Sequence, residues 1–191
     1  MTFPLEYDRD RNVNTVRYWN TAHKRGRTVT PKSSVVVRRV AEMLEGLPVM
    51  PIREYGFGRY HVGMFVGPER WTGYDFSPMA VSSAKEEGFT AHVARLGDAE
   101  HPDGSCIVAL EVIEHLDLPE MMAFLRTVSV ADRAFISVPM ARARDLRFPQ
   151  HMRGFGTKVD LEEFLSGFWP SVTVEVVRPH WRLAYCRRVT P

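Results

Sequence analysis

The sequence predicts an α/β fold: a mostly parallel sheet of seven strands, covered by helices on both faces and closed by an antiparallel hairpin at its C-terminal edge. Three observations predict it. From about Pro51 onward, short apolar runs recur: PIREY, WTGYD, FTAHVARL, SCIVALEV, RAFISVP, SVTVEVV and RLAYCRRV. Most are separated by segments long enough for a helix, and strands alternating with helices are the pattern of parallel strands joined by crossovers. Only RPHW lies between the last two runs, which is too short for a crossover and suits a hairpin.

The elements follow in chain order. The first thirty residues have weak periodicity, but they carry Tyr18, Trp19 and the basic string HKRGR, and are expected to form a lid or a helix at the mouth of the site. SSVVVRRVAEMLEGLP reads as a helix capped by Ser33 or Ser34 and closed by Gly46 and Pro48. HVGMFVG leaves room for only a short helix after the first core strand. SPMAVSSAKEEG opens with Ser-Pro, which suits a first helical turn, and stops at Gly88. LPEMMAFLRTVS places Met122, Leu125 and Val128 near one face, and VDLEEFLSGF has an acidic first turn before Gly167.

The totals narrow the function classes. A chain of 191 residues is read as a single domain, with residues 1–50 as an N-terminal helical or lid segment and 51–191 as the core. No apolar run is long enough for a membrane helix and the N-terminus is charged, so the expected setting is the cytoplasm, with no membrane partner. Cys106 and Cys186 lie in strand-like runs without metal or disulfide spacing and are read as core. Net charge is only +2, but acidic residues predominate in the middle of the chain and basic ones on both flanks. Such flanks suit an anionic acceptor as well as ordinary solvated surface.

The stretch EYGFGRY carries the first functional signal. In a nucleotide-binding α/β fold the first strand ends in a glycine turn, so that backbone can approach the ligand, and an acid at the end of the second strand holds the ribose hydroxyls. Glu54 closes the first strand, Gly56 and Gly58 form the turn, and Asp75 ends WTGYD. The fold expected is therefore a Rossmann-like three-layer sandwich.

Three further motifs fall in order. GYDFSPMAV, ALEVIEHLDLPE and FISVPMAR resemble the second-, fourth- and fifth-strand motifs of the class I S-adenosylmethionine-dependent methyltransferases. The resemblance covers Pro51 to about Val189. It implies S-adenosylmethionine as cofactor: Glu54, Gly56 and Gly58 at the methionine part, Asp75 with Phe76 at the ribose, Asp98 at the adenine and Glu111 beside the cofactor. The family's third glycine is replaced by Tyr60, which is expected over the methionine end of the cofactor or in a reshaped turn.

Methyl transfer from a sulfonium is an in-line displacement, so the protein chiefly positions acceptor and methyl, with a base where the acceptor loses a proton. Polar groups beyond strands four and five are the candidates: Glu111, Glu114 and His115 in EVIEH, and His151 in FPQHMRGF. His115 is taken as base, with Glu111 and His151 beside it. The acceptor is read as an oxygen or nitrogen of a small molecule. Two alternatives stand beside this. Glu-x-x-Glu-His with a later His resembles the motif of metal-dependent small-RNA 2′-O-methyltransferases, which would make Glu111, Glu114, His115 and His151 ligands of a divalent metal and a nucleic acid the acceptor; a related Glu-x-x-Glu-His occurs in the ubiquinone-pathway O-methyltransferases. Tyr60 and the short helix instead suit a non-catalytic binding module. Trp71, Trp169 and Trp181 are read as packing, and RARDLRF as lining the acceptor side or as a solvated loop.

Overall fold

The computed structural model describes residues 5–6, 14–24, 33–59, 61–96, 104–140, 151–179 and 181–188. Strand β1 (Leu5–Glu6) and helices α1 (Val16–Lys24) and α2 (Ser33–Glu45) precede the core. The core runs β2 (Ile52–Tyr55), α3 (Gly63–Val66), β3 (Trp71–Asp75), α4 (Pro78–Glu86), β4 (Thr90–Val93) and β5 (Cys106–Leu110). It continues through a 3-10 turn (Ile113–His115), α5 (Leu118–Val128), β6 (Arg133–Pro139), β7 (Arg153–Gly154), α6 (Lys158–Leu165), β8 (Ser171–Val177) and β9 (Trp181–Arg187).

Seven strands form one sheet in the order β4-β3-β2-β5-β6-β9-β8. The pairs from β4 through β6 are parallel, whereas β9 is antiparallel to both β6 and β8. The RPHW segment therefore does join a hairpin at the edge. β1 and β7 pair apart from this sheet, Leu5 opposite Gly154.

Alternation along the strands divides the interior in two. Ile107, Ala109, Ala134 and Ile136 pack with Met121, Phe124 and Leu125 of α5 and with Leu161, Phe164 and Leu165 of α6. Cys106, Val108 and Phe135 face the other way, toward Val36, Val40 and Leu44 of α2 and Ala80, Val81 and Ala84 of α4. Side chains of period two along each strand meet helices on both faces, the three-layer arrangement expected.

Helix punctuation acts much as the sequence suggests. Ser77 caps α4 by accepting from Ala80 N. Gly88 (φ 88°) ends it, with Phe89 N donating to Ala84 O and Gly88 N to Lys85 O, the paired bonds of a left-handed C-terminal cap. Asp117 with Glu120 and Thr157 with Asp160 form capping boxes for α5 and α6. α5 differs in rotation: its buried row is Met121, Phe124, Leu125 and Val128, and Met122 is only half-buried. Both cysteines are buried and free.

This order places a switch in chain direction between β2 and β5. The chain steps outward from β2 to β3 and β4, then returns to the far side of β2. Ligands of open α/β sheets bind beyond the carboxyl ends of the strands at such a point. The glycine turn follows β2 and the EVIEH segment follows β5, so these two flank the switch.

Candidate functional site

Gly56 and Gly58 both adopt left-handed backbone (φ 64° and 57°), which glycine enters without a Cβ clash. Gly56 N donates to Tyr74 O at 2.8 Å, lashing the turn to β3. Asp75 holds the turn in place: Oδ2 accepts from Gly58 N at 3.0 Å and Oδ1 from Ser77 N at 2.8 Å. Sequence-distant glycine and acid therefore meet at adjoining strand ends. Asp75 is 6 % exposed, and burial raises its carboxyl above the ordinary value against the pull of those two amides.

Glu54 is placed differently from the expectation that it meets the methionine part of a cofactor. It shares strand parity with Ile52, which points toward the α2 layer, so its side chain turns inward. Its Oε2 accepts from Val62 N at 2.8 Å and from the Trp71 indole at 2.7 Å. At 2 % exposure Glu54 braces α3 and β3 behind the turn. Tyr60, Asp98 and the RARDLRF run lie outside the described residues, as does HKRGR apart from its histidine and lysine in α1.

Across the switch, Glu111 follows β5 with φ 58°, a left-handed conformation that costs a non-glycine residue about 1–2 kcal/mol. The neighbours hold it there. Glu111 N donates to Ser137 O and to Ser137 Oγ, both at 3.1 Å. Its Oε1 accepts from Ser137 Oγ at 2.9 Å and its Oε2 from the Trp181 indole at 2.8 Å. Burial pushes its carboxyl up to about 7. Trp181 and Trp71, read from sequence as packing, thus each also present an indole N–H to an acid, half-buried Glu111 and buried Glu54.

Glu114 is 1 % exposed, and among the described residues neither carboxylate oxygen has a hydrogen-bond partner. Burial first, and the Glu111 charge second, raise it well above the usual carboxylate range. His115 Nε2 lies 3.8 Å from Glu114 Oε1, and the His115 and His151 rings are 5.0 Å apart. Met152 N donates to Glu114 O at 2.7 Å, which fixes the His151 segment against the turn after β5. Of the four residues expected around a metal, Glu114, His115 and His151 converge, with ligand atoms within 4.8 Å of one another. Glu111 is drawn aside by Ser137 and Trp181, so the four-ligand expectation is corrected to three.

α1 lies over these strand ends. Its Trp19 ring stands edge-on to His115 at 4.9 Å and to Phe76 at 6.5 Å. Asn20 Oδ1 accepts from Ser77 Oγ at 2.6 Å, and Asn14 Nδ2, just before the helix, donates to His115 O at 2.9 Å. The aromatic pair in the N-terminal segment hinted at this placement. Nothing in the sequence pointed to Asn20 or Ser137.

Glu54, Asp75, Glu111 and Glu114 are all raised, so the folded state holds their protons to higher pH than the unfolded chain does. Their contribution to stability is fully present below the ordinary carboxylate pKa of about 4 and is lost as pH rises through the folded values. Those values are about 7 for Glu111 and about 8 for Glu54. The urea midpoint is accordingly expected to fall between pH 5 and pH 8, by an amount on the order of a few kcal/mol in stability. Glu54→Gln, which keeps an oxygen for Val62 and Trp71, should flatten part of that fall. A midpoint that climbs over this range would contradict the assignment.

No protein-family model matches the sequence, and no curated protein sequence matches it. Solved structures do match. DhpI, in its DhpI–SAM–HEP complex, aligns with a TM-score of 0.70 at 17% identity, over 90% of this chain and 95% of its own. The 1,6-didemethyltoxoflavin-N1-methyltransferase of Burkholderia thailandensis, crystallised with 1,6-didemethyltoxoflavin and S-adenosylhomocysteine, aligns at 0.68 and 16% identity over 98% of this chain and 94% of its own. The small RNA methyltransferase HEN1 aligns at 0.65 and 17% identity, over 84% of this chain but 26% of its own. The chain has the Rossmann-like fold of the class I S-adenosylmethionine-dependent methyltransferases.

Proposed function

We propose that this protein is an S-adenosylmethionine-dependent methyltransferase acting on an oxygen or nitrogen of a small-molecule acceptor. The observation that carries the reading is the joint made by Asp75, Gly58 and Ser77 at the switch between β2 and β5. A carboxylate there has four lone-pair positions, of which two are taken by backbone amides, and the remaining two suit a ribose diol. The left-handed glycines leave backbone bare where the methionine part would lie. Phe76 offers a ring beside the nucleoside. Tyr60 and Asp98 are assigned, on the family resemblance alone, to the methionine end and the adenine.

In the reaction the acceptor heteroatom attacks the sulfonium methyl in line, the sulfur–carbon bond breaks, and S-adenosylhomocysteine leaves with both electrons. The acceptor's proton passes to His115, and the resulting imidazolium faces Glu114 at 3.8 Å. Glu111, with its carboxyl near 7, borders the same space. His151 completes the wall. Near-coextensive alignment with a small-molecule N-methyltransferase supports the acceptor class.

Titration calorimetry with S-adenosylmethionine and S-adenosylhomocysteine tests the reading. Dissociation constants of about 1–100 μM, or −8.2 to −5.5 kcal/mol, are expected for both. No heat at millimolar ligand would instead favour a non-catalytic module.

A second reading, a divalent metal that assists transfer to RNA, is favoured by one observation. The Glu114 carboxyl, without a hydrogen-bond partner among the described residues, lies with two imidazoles, a nitrogen and oxygen donor set that suits a divalent ion. Glu114, His115 and His151 would hold the ion, which would polarise an acceptor hydroxyl. If so, millimolar manganese should raise the melting temperature of the wild type by several degrees and leave His151→Ala unmoved. An equal response in the two proteins would remove the metal from the account.

A further inference from the structure

We propose that α1 is a lid across the site, latched by the Asn20–Ser77 hydrogen bond, which lifts to admit the nucleoside and settles behind it. Only the identity of what enters rests on the methyltransferase reading. Asp75 is the group a nucleoside must reach at the end of β3, yet it and its hydrogen-bond partner Ser77 are 6 % and 2 % exposed. The helix lying against them is α1. Ser77 Oγ donates to Asn20 Oδ1 at 2.6 Å, and the Trp19 ring reaches both Phe76 and His115. α1 therefore touches both halves of the site, the nucleoside side and the histidine side. A movement that uncovers one uncovers the other.

The seating of α1 differs from that of the other long helices. α2, α4, α5 and α6 each insert a row of fully buried side chains into the core, whereas the described side chains of α1 are exposed or half-buried. A groove of about 400 Å³, lined by Lys24, Arg59, Met79, Ser82, Ser83 and Glu86, runs between its C-terminal end, the glycine turn and α4. Elements with few buried apolar contacts open at the lowest free energy, and closing elements of active sites are drawn from them. The latch is also separable from the fold. Ser77 Oγ accepts from Ala80 N to cap α4 while its proton goes to Asn20, so lifting α1 breaks the latch and leaves the cap.

The test uses Ser77→Cys and Asn20→Cys, which place thiols at the two positions that the 2.6 Å contact joins. In the single variant Ser77→Cys, the introduced thiol is expected to react with a maleimide at least about tenfold faster than Cys106 and Cys186, because it needs only local opening. Labelling no faster than those two core thiols overturns the lid. In the double variant, oxidised with diamide and the bond verified by mass, S-adenosylhomocysteine association is expected to slow at least about tenfold and to recover on reduction, as for a closed state held shut. Association unchanged by oxidation also overturns it. If neither the reduced double variant nor the wild type binds S-adenosylhomocysteine, the methyltransferase reading fails, and the maleimide rates still decide whether α1 lifts.

Discussion

Asp75→Ala is expected to weaken S-adenosylhomocysteine binding by at least about a hundredfold, or 2.7 kcal/mol. Two losses combine. The diol loses acceptors worth about 1.5–3 kcal/mol per charged hydrogen bond. Gly58 N and Ser77 N lose the carboxylate that now takes them at 3.0 and 2.8 Å, so the turn that shapes the pocket loosens as well. Asp75→Asn should not rescue, because an amide has one oxygen for two donors and presents its N–H groups to the other. The two losses can be separated by a ligand that lacks the ribose hydroxyls. Wild-type protein should prefer S-adenosylhomocysteine over its 2′,3′-dideoxy analogue by about tenfold or more, and Asp75→Ala should lose that preference, a coupling read as a double-mutant cycle. If the variant weakens both ligands equally, Asp75 is a scaffold for the turn and the diol is held elsewhere.

That one carboxylate shows what a sequence can and cannot disclose. Its place at a strand end, 21 residues after Glu54, follows from apolar runs and turn residues, which act locally. The strands and the core helices were legible for the same reason. Depth within an element was harder. Glu54 lies opposite Gly73, so Glu54 and Asp75 share one face of the sheet. Asp75 ends β3, whereas Glu54 lies before the end of β2 and two residues deeper in register, where it meets Trp71, and no motif records that depth. Glu111 belongs to the same short motif as Glu114, but its partners Ser137 and Trp181 arrive from β6 and from β9. Those bonds span 26 and 70 residues, and no local pattern carries them. The convergence of Glu114 and His115 with His151 is another long-range event, foreshadowed only by resemblance. α1 was the least legible helix, because what places it is a few polar and ring contacts to strand ends and not a buried apolar stripe.

Gly56→Ala is the substitution expected to test whether the two loops at the switch form one unit. A Cβ there would lie 2.6 Å from Val112 Cγ2, on a backbone with φ 64°. Val112 is 6 % exposed and β-branched, so it has little freedom to move aside. Left-handed backbone costs alanine about 1–2 kcal/mol, and overpacking a filled interior costs about 1–3 kcal/mol. Together they predict a loss of about 2–5 kcal/mol, or roughly 5–15 °C in melting temperature for a chain of this size. Val112→Ala on the Gly56→Ala background should return the packing part and leave the backbone part, giving a coupling of about 1 kcal/mol or more between the two positions. The coupling has a functional reading, since Val112 sits between Glu111 and the turn that carries Glu114 and His115. A side chain forced into the space beyond β2 presses on the loop beyond β5, and so disturbs the acids and histidine at the same time as the glycine turn. Additive energies in that cycle, or a Gly56→Ala protein as stable as the wild type, would mean that the two loops are not in the contact described, and the single site drawn across the switch would come apart into two.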